Sequence, residues 1–525
     1  MLRQPLASKR PSQRRISRPG TKLAPIHGWN ARDPWAGVPE GESIVLDNWF
    51  PRESWVETRQ GHLSYVTGFT GNTRTLMAYS STASGQKLFC TTDSGIFDVT
   101  TAGVVGSAVA TISNGFMQYV NFQNSAGWFL HACNGSDDVQ LYDGTSWKAL
   151  NATSSPALTF AGGAVSSQMI NVNVFKNRLF FIPTNRLSFF YLGVGAIAGS
   201  AAEFPLQGIF SKGGTLVAMG TWTLDGGSGV DDLAVFVTSE GQFAVFQGTD
   251  PSSATAWNLV GVYNLAKPIG QRPFCKFGGD LLVVLEDGLY PLSKAFQSSS
   301  IDRTISITDT IINAWISAVA QNRNTKGWSC IQYSTAPFIL VNVPIGGNAA
   351  NSVQFVMNTQ TNAWTRFTGM GGQDFAVLGS NLYMCRGSAV YKAWTGFSDD
   401  TANIVALSKS GYDHFGYPGN NKQWKLIRPN IQVVSSVASL VGLAVDFRDE
   451  FLTGQLPPVP PSGGIWDTSL WDASTWGADF QINQSWATAA AWVGHYAATM
   501  LQVTSNREQC RWMTTDHIFE VGEFL

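Results

Sequence analysis

The sequence predicts an all-β fold: a β-propeller of six or seven blades, followed by a β-sandwich-like platform domain and preceded by an N-terminal extended arm. Three observations predict it. The first is a repeated hairpin unit, clearest at residues 233–248, LAVFVTSEGQFAVFQG, where two apolar runs flank a Ser239-Glu240-Gly241-Gln242 turn. KLFCTTDSGIFDVT from Lys87, RLFFIPTNRLSFFYLG from Arg178, DLLVVLEDGLYPLSK from Asp280 and NLYMCRGSAVYKAWTG from Asn381 repeat the plan. The second is spacing. Seven unit starts fall near Arg74, Met117, Met169, Thr215, Phe274, Trp328 and Phe375, at irregular intervals of roughly forty to sixty residues that suit four-stranded blades better than a solenoid. The third is a closing strand of small residue, Trp, polar residue and apolar residue around Trp147, Trp257 and Trp364, which suits the outer strand of a blade.

Taken in order, residues 1–28 read as a basic extended arm. Arg10, Arg14, Arg15 and Arg18 stand among prolines at 5, 11, 19 and 25, with no periodicity. We expect the arm to dock on a neighbouring subunit or an assembly partner. Residues 29–72 form lead-in strands, expected to pack with the C-terminal domain, and residues 73–415 form the propeller. Within the propeller, Thr308-Asp309 is a helix cap signal, and Ile311, Ile312, Trp315, Ile316 and Val319 fall on one helical face. The expected helix, at 305–320, covers a blade edge. Residues 416–525 form the platform, with strands at 422–434, 440–448, 488–503 and 510–522. Between them lies a Pro-rich linker and a loop with Trp466, Trp471 and Trp476 at five-residue spacing. Evenly spaced aromatics on a loop are candidate partner contacts.

Composition narrows the function classes. Charged residues make up 13% of the chain, about half the roughly 25% of ordinary soluble domains, which points to a surface that faces other subunits. The high aromatic content excludes disorder. The net charge of −2 divides into +8 over residues 1–32 and −10 over the rest. The body is therefore unsuited to wrapping a nucleic-acid backbone by counterion release, and only the arm has the charge for it. The six cysteines have no CxxC spacing and mostly sit in apolar strand-like runs, as buried reduced thiols do. No run of eighteen apolar residues is present, so no membrane span is expected.

The search for chemistry yields little. There is no phosphate loop, HExxH, EF-hand loop or GxSxG elbow. The glycines at 193, 195 and 199 have one residue too many for a dinucleotide loop and no helix behind them. His27, His62, His131, His414, His495 and His517 are dispersed, and the adjacent pairs Asp413-His414 and Asp516-His517 do not make a dyad, which needs convergence from separate elements. Asp225, Asp231 and Asp232 in one loop and Asp137 and Asp138 in another fit turn-forming aspartates, with Ca²⁺ binding left open. No catalytic residue, cofactor or metal ligand is assigned, and the chain is read as non-enzymatic.

The opening of the folded region, GWNARDPWAGVPEGESIVLDNWFPRESWVETRQGH, resembles the start of virion proteins of short-tailed double-stranded-DNA bacteriophages. The resemblance is carried by Leu46-Asp47-Asn48-Trp49-Phe50-Pro51 and the Arg59-Gln60-Gly61 turn. The segment VFVTSEGQFAVFQGTDPSSATAWNLVGVYN with LAKPIGQRPF is similar to the propeller core of their tail nozzle, or packaged-DNA-stabilisation, proteins. FGYPGNNKQWKLIRPNI and LVGLAVDF are similar to the platform domain of the same family. The resemblance implies a virion tail protein assembled in the host cytoplasm as a homo-oligomeric ring, usually a hexamer. It implies contact with a tail adaptor near the portal, with tail fibres or spikes as further partners, and DNA passing without sequence recognition. The alternative is a propeller carbohydrate-binding protein or glycan-active enzyme, which requires carboxylates and aromatics converging at one mouth.

Overall fold

The structure, a computed structural model, describes residues 17–82, 85–223, 232–296, 305–433, 437–448, 454–456, 481–483, 485–488, 492–505 and 507–522. It is all-β and contains a β-propeller. Its blades begin at Thr73, Gln118, Met169, Leu216, Phe274, Ser329 and Asp374, each within one residue of a start marked in the sequence. Five blades are self-contained sheets of three to five strands, and two more belong to larger sheets that leave the propeller. Separate apolar clusters fill the seams between successive blades and return from the seventh blade to the first, so the ring closes at seven.

The hairpin at 233–248 shows why blades read as they do. Its strands Asp232–Thr238 and Gln242–Gly248 pair Leu233 with Gln247 through Val237 with Phe243, and Trp257–Asn264 adds the outer strand. Ala234, Phe236, Ala244 and Phe246 face the third blade, while Val235, Val237, Phe243 and Val245 face the fifth. A sheet covered on both faces has no polar side, so its strands are continuous apolar runs. Gly241 at the turn has φ +76°, and an added Cβ would stand 2.5 Å from the Leu265 carbonyl oxygen. Only glycine meets both conditions.

Three boundaries differ from the sequence reading. His62–Thr67, read with the lead-in, is the fourth strand of the seventh blade, antiparallel to Ala389–Ala393. An N-terminal strand thus completes the last blade and removes its exposed edge. The platform is not a separate C-terminal unit. One of its sheets runs Glu42–Asp47, Val405–Ser410, Ala497–Thr504, Ala438–Val445, and it joins the sixth blade where Asp47 pairs with Arg366. The other sheet holds Trp49–Pro51, Val56–Thr58, Cys510–Val521 and Lys422–Val433. Residues 42–58 and 405–410 therefore belong to the platform, because its strands need these partners to fill their ladders.

The arm is the third correction. From Ser17 to Leu23 it is an edge strand of the same chain, antiparallel to Cys510–Val521 from Ser17↔Glu520 to Leu23↔Thr514. Thr21 donates to Asp516 at 2.8 Å, Lys22 pairs with Asp413, and Arg18 lies over the Tyr417 ring at 5.1 Å. A proline at 19 suits an edge strand, which needs no ladder donor on its outer side. This part of the arm docks on its own platform.

The helix also differs in detail. Residues Ile312–Asn322 are α-helical after a 3₁₀ turn at Asp309–Ile311. Thr308 does not cap it through its side chain; its hydroxyl accepts from Leu289 N–H at 3.1 Å and bonds Ser306. Ile311, Trp315 and Val319 pack into the seam between the fifth and sixth blades, whereas Ile316 is exposed. The helix fills a seam beside the fifth blade, which has three strands among the described residues. No helix among the described residues is long and apolar enough to cross a membrane. All six cysteines are free, and all but the half-buried Cys330 are buried.

Two buried histidines give the fold a pH dependence. His131 donates through Nε2 to the Ile197 carbonyl at 2.8 Å, and His517 bonds Thr499 at 2.9 Å. Burial pushes both down to about 4, partly offset at His131 by the Ile197 carbonyl and reinforced at His517 by the charge of Lys22. An unfolded histidine titrates near about 6.5, so between pH 6.5 and 4 the unfolded chain binds protons that the folded chain refuses. Stability should fall as pH drops through that window. Denaturant midpoints measured from pH 7 to 4.5 should decline, and less steeply in His517→Gln; a flat wild-type profile would contradict the assignment.

Candidate functional site

The N-terminal motif of the sequence resemblance, Leu46–Pro51 with Arg59-Gln60-Gly61, forms one buried joint between propeller and platform. Adjacent residues of a strand point to opposite faces. Trp49 accordingly enters the platform core, 5.7 Å from the Trp512 ring, while Phe50 enters the seam between the sixth and seventh blades. Asp47 takes a two-pronged bond from Arg366, at 2.7 Å on each oxygen. Asn48 sits at φ +60°, a left-handed conformation that asparagine tolerates better than most residues. Its carboxamide donates to Thr368 and to the Val405 carbonyl, and accepts from Arg59 Nε and Thr368 N–H.

Arg59, 1% exposed, is the centre of this joint. Its five N–H groups reach Asn48, the Gln60 and Thr368 carbonyls, and both oxygens of Asp399 at 2.8 and 2.6 Å. His62 Nδ1 approaches the same carboxylate at 3.1 Å. Burial alone would raise Asp399, but Arg59 and His62 hold its carboxyl well below the usual range. Two residues on, a Cβ at Gly61 would stand 1.8 Å from the Ser398 carbonyl oxygen. The Arg-x-Gly pattern thus has a physical reason at each end: an arginine that saturates a buried network, and a glycine where two backbones touch.

A second site lies at one mouth of the propeller axis. The segments that lead into inner strands converge there from the fifth, sixth, seventh, first and second blades around a cavity of about 190 Å³. Arg272, ahead of the fifth blade, donates to both Asp374 oxygens at 3.0 Å, at the start of the seventh, and to Thr75 of the first at 3.0 Å. Asp374 also accepts from Leu76 N–H at 2.9 Å. Side chains of three blades are thereby tied together across the mouth. Arg74 donates through Nε and Nη2 to Asp93, at 3.0 and 2.8 Å. Burial opposes ionisation of Asp93, yet bonds from Arg74 and Gly115 N–H and the charges of Arg74 and Lys326 keep its carboxyl below its usual range.

A third hollow, about 550 Å³, lies between the 17–23 strand, the 36–43 segment and the platform, and is lined by Arg18, Lys22, Glu40, Glu42, Asp413 and Tyr417 among others. Of the candidate partner contacts, Arg18 stands here. Arg10, Arg14, Arg15, Trp466, Trp471 and Trp476 lie outside the described residues, as do Asp225 and Asp231.

The histidines and acidic loops do not assemble. Asp413 holds Lys22 and Phe415 N–H, His414 accepts from Gly416 N–H, and Asp516 binds Arg428 and Asn430. Asp137 accepts from Ser113 and Asn114 of a segment more than twenty residues upstream and from Asn134, tying two loops together where a turn aspartate would bond its own backbone, and Asp232 pairs with Lys176. No group of three metal-ligating side chains occurs among the described residues. The glycines at 193, 195 and 199 lead into a strand, Gly199–Pro205, in place of the helix a dinucleotide loop needs. Sequence reasoning missed the axial cluster because its members come from five separate units. The only signal available was position, within a few residues of each unit start.

No protein-family model and no curated protein matches the chain. Among solved structures, it is similar to the β-propeller domain of Cps50 (Swd1) of Myceliophteria thermophila, at 11% identity over 63% of this chain and 98% of that one, with a TM-score of 0.39. It is similar to the Pan2 WD40 domain of Neurospora crassa at 9% identity, over 62% and 89% of the two chains, TM-score 0.35. A computationally designed protein, Ika8, matches at 10% identity over 63% and 99%, TM-score 0.37.

Removing the guanidinium at the joint leaves Asp399 and Asn48 buried without their partner, a change that typically costs about 3–5 kcal/mol. Arg59→Ala should therefore lower the unfolding free energy by that order, and Gly61→Ala should also destabilise. Chemical denaturation of the two variants beside the parent measures both; stability within about 1 kcal/mol of the parent in Arg59→Ala would refute the role given to this network.

Proposed function

We propose that this chain is a non-enzymatic structural protein of a short-tailed phage virion, a nozzle subunit that closes the tail, retains packaged DNA and contributes to the ejection channel. The observation that carries the reading is the joint. One part of the family resemblance, Leu46–Pro51 with Arg59-Gln60-Gly61, supplies residues that fasten propeller and platform into one body, through a shared sheet and the Arg59 network. A fixed arrangement of the two domains suits heterologous contacts that must close into a ring. Low charge, at 13% of residues, suits extensive permanent interfaces.

The axial mouth favours this reading over a glycan-active propeller. It carries arginines and a lysine, and the one carboxylate that lines it among the described residues, Asp374, is engaged by Arg272 and Leu76 N–H. A cavity of about 190 Å³ is far too small for duplex DNA, so DNA would run through a ring between copies. The mildly acidic body would let it slide without sequence recognition. In this proposal the partners are further copies, six in the usual ring, a tail adaptor, and fibres or spikes.

Electron microscopy of the purified chain, alone and with the adaptor of its own tail, tests the assembly. Rings are the expected result, and a monomer that cleaves surface glycan would overturn the proposal. Removing residues 1–16 keeps the Ser17–Leu23 strand on the platform, so it separates a docking role of the basic segment from folding. The truncated chain should remain folded and lose adaptor binding or ring formation. Normal assembly would exclude that role.

A further inference from the structure

We infer that the axial mouth of the propeller is a binding site for a small free oxyanion of one or two negative charges, of phosphate or carboxylate type. The inference stands apart from the assembly reading. It rests on the cavity, the charge of its wall and polar groups that the protein leaves unpaired.

The wall of the 190 Å³ cavity holds Arg74, Arg272, Arg323 and Lys326, and among the described residues its only carboxylate is Asp374. Asp93 and Glu286, which pair with Arg74 and Arg323, reduce the excess to a single positive charge. That excess resides on Lys326, which pairs with no carboxylate among the described residues and lies 4.7 Å above the Phe116 ring. Arg74 shares that ring at 5.1 Å. Cations fixed in this way need no rearrangement to meet an anion. Arg272 is held by Asp374 and Thr75, and Arg74 by Asp93 and Phe116. Arg323 is the adjustable member, exposed and only 3.4 Å from Glu286, so it can turn from that partner to a ligand.

The amides add an independent observation. Gln373, 3% exposed, belongs to the cavity wall, and neither its carboxamide nitrogen nor its oxygen has a hydrogen-bond partner. The carboxamide oxygen of Gln118, on the same wall, is also without one. Buried polar groups in native proteins are almost always satisfied, and those left open cluster where a ligand or water completes them. Size sets the ligand class. Drug-sized molecules need about 300 Å³ or more, whereas this volume admits a phosphate or a short carboxylate with a few waters. A concave, partly desolvated wall also strengthens each charge contact relative to bulk water.

The test uses the full chain and inorganic phosphate, with succinate as the carboxylate arm, in thermal-melting and calorimetric titrations at fixed ionic strength. Phosphate or succinate should raise the melting midpoint saturably. Both altered side chains of R323Q/K326Q are exposed, so it should keep its parental midpoint in anion-free buffer while binding at least tenfold more weakly. Saturable binding by one anion and not the other supports the site and fixes its ligand type. An equal response in parent and double variant, or a response to duplex DNA with none to either small anion, would overturn the inference.

Discussion

A buried guanidinium with every donor engaged is the constraint on which the rest of the structure depends. Arg59 joins Asn48 of the first platform strands, Thr368 beyond the sixth blade and Asp399 beyond the seventh. Such a charge is tolerable in the interior only because each N–H has a partner and a carboxylate balances it. The strand that follows can then complete the last blade through His62–Thr67, while the strands before it complete the platform. Ring closure and domain docking are thus set in one stretch of fewer than thirty residues, 42–67.

The remaining stability is distributed. Each seam has its own apolar cluster, and each inner blade is covered on two faces, which is why so much of the chain is apolar or small and so little is charged. The platform core continues into the seam between the fifth and sixth blades, through Trp29, Trp364, Phe355 and Trp315. That continuity covers the fifth blade, which has three strands among the described residues. The helix at Ile312–Asn322 supplies Trp315 and Val319 to the same place. Rigidity here comes from shared cores, with ion pairs such as Asp47–Arg366 fixing register at the junction.

Local sequence recorded what local physics controls. Turn glycines, two-faced apolar strands and closing tryptophans are set by neighbours a few residues away, so the blade starts could be marked to within one residue. The helix was legible from its period, but not which residues it buries: Ile316 shares the apolar stripe of Trp315 yet is exposed, while Ile311, Trp315 and Val319 face the seam. Thr308 likewise carries the capping chemistry, and a strand N–H from Leu289 claimed it first.

By itself, the sequence determined the repeat, the all-β class and the motif Leu46–Pro51 with Arg59-Gln60-Gly61, because strand and turn preferences are properties of short segments. Tertiary structure alone decided which strands meet across hundreds of residues. It placed Ser17–Leu23 on the chain's own C-terminal strand, His62–Thr67 in the last blade, and residues 42–58 in the platform. It also gathered Arg74, Arg272, Asp374 and Lys326 at the axis from four blades. Pairing partners and converging charges depend on how the ring closes, and no stretch of sequence contains that closure.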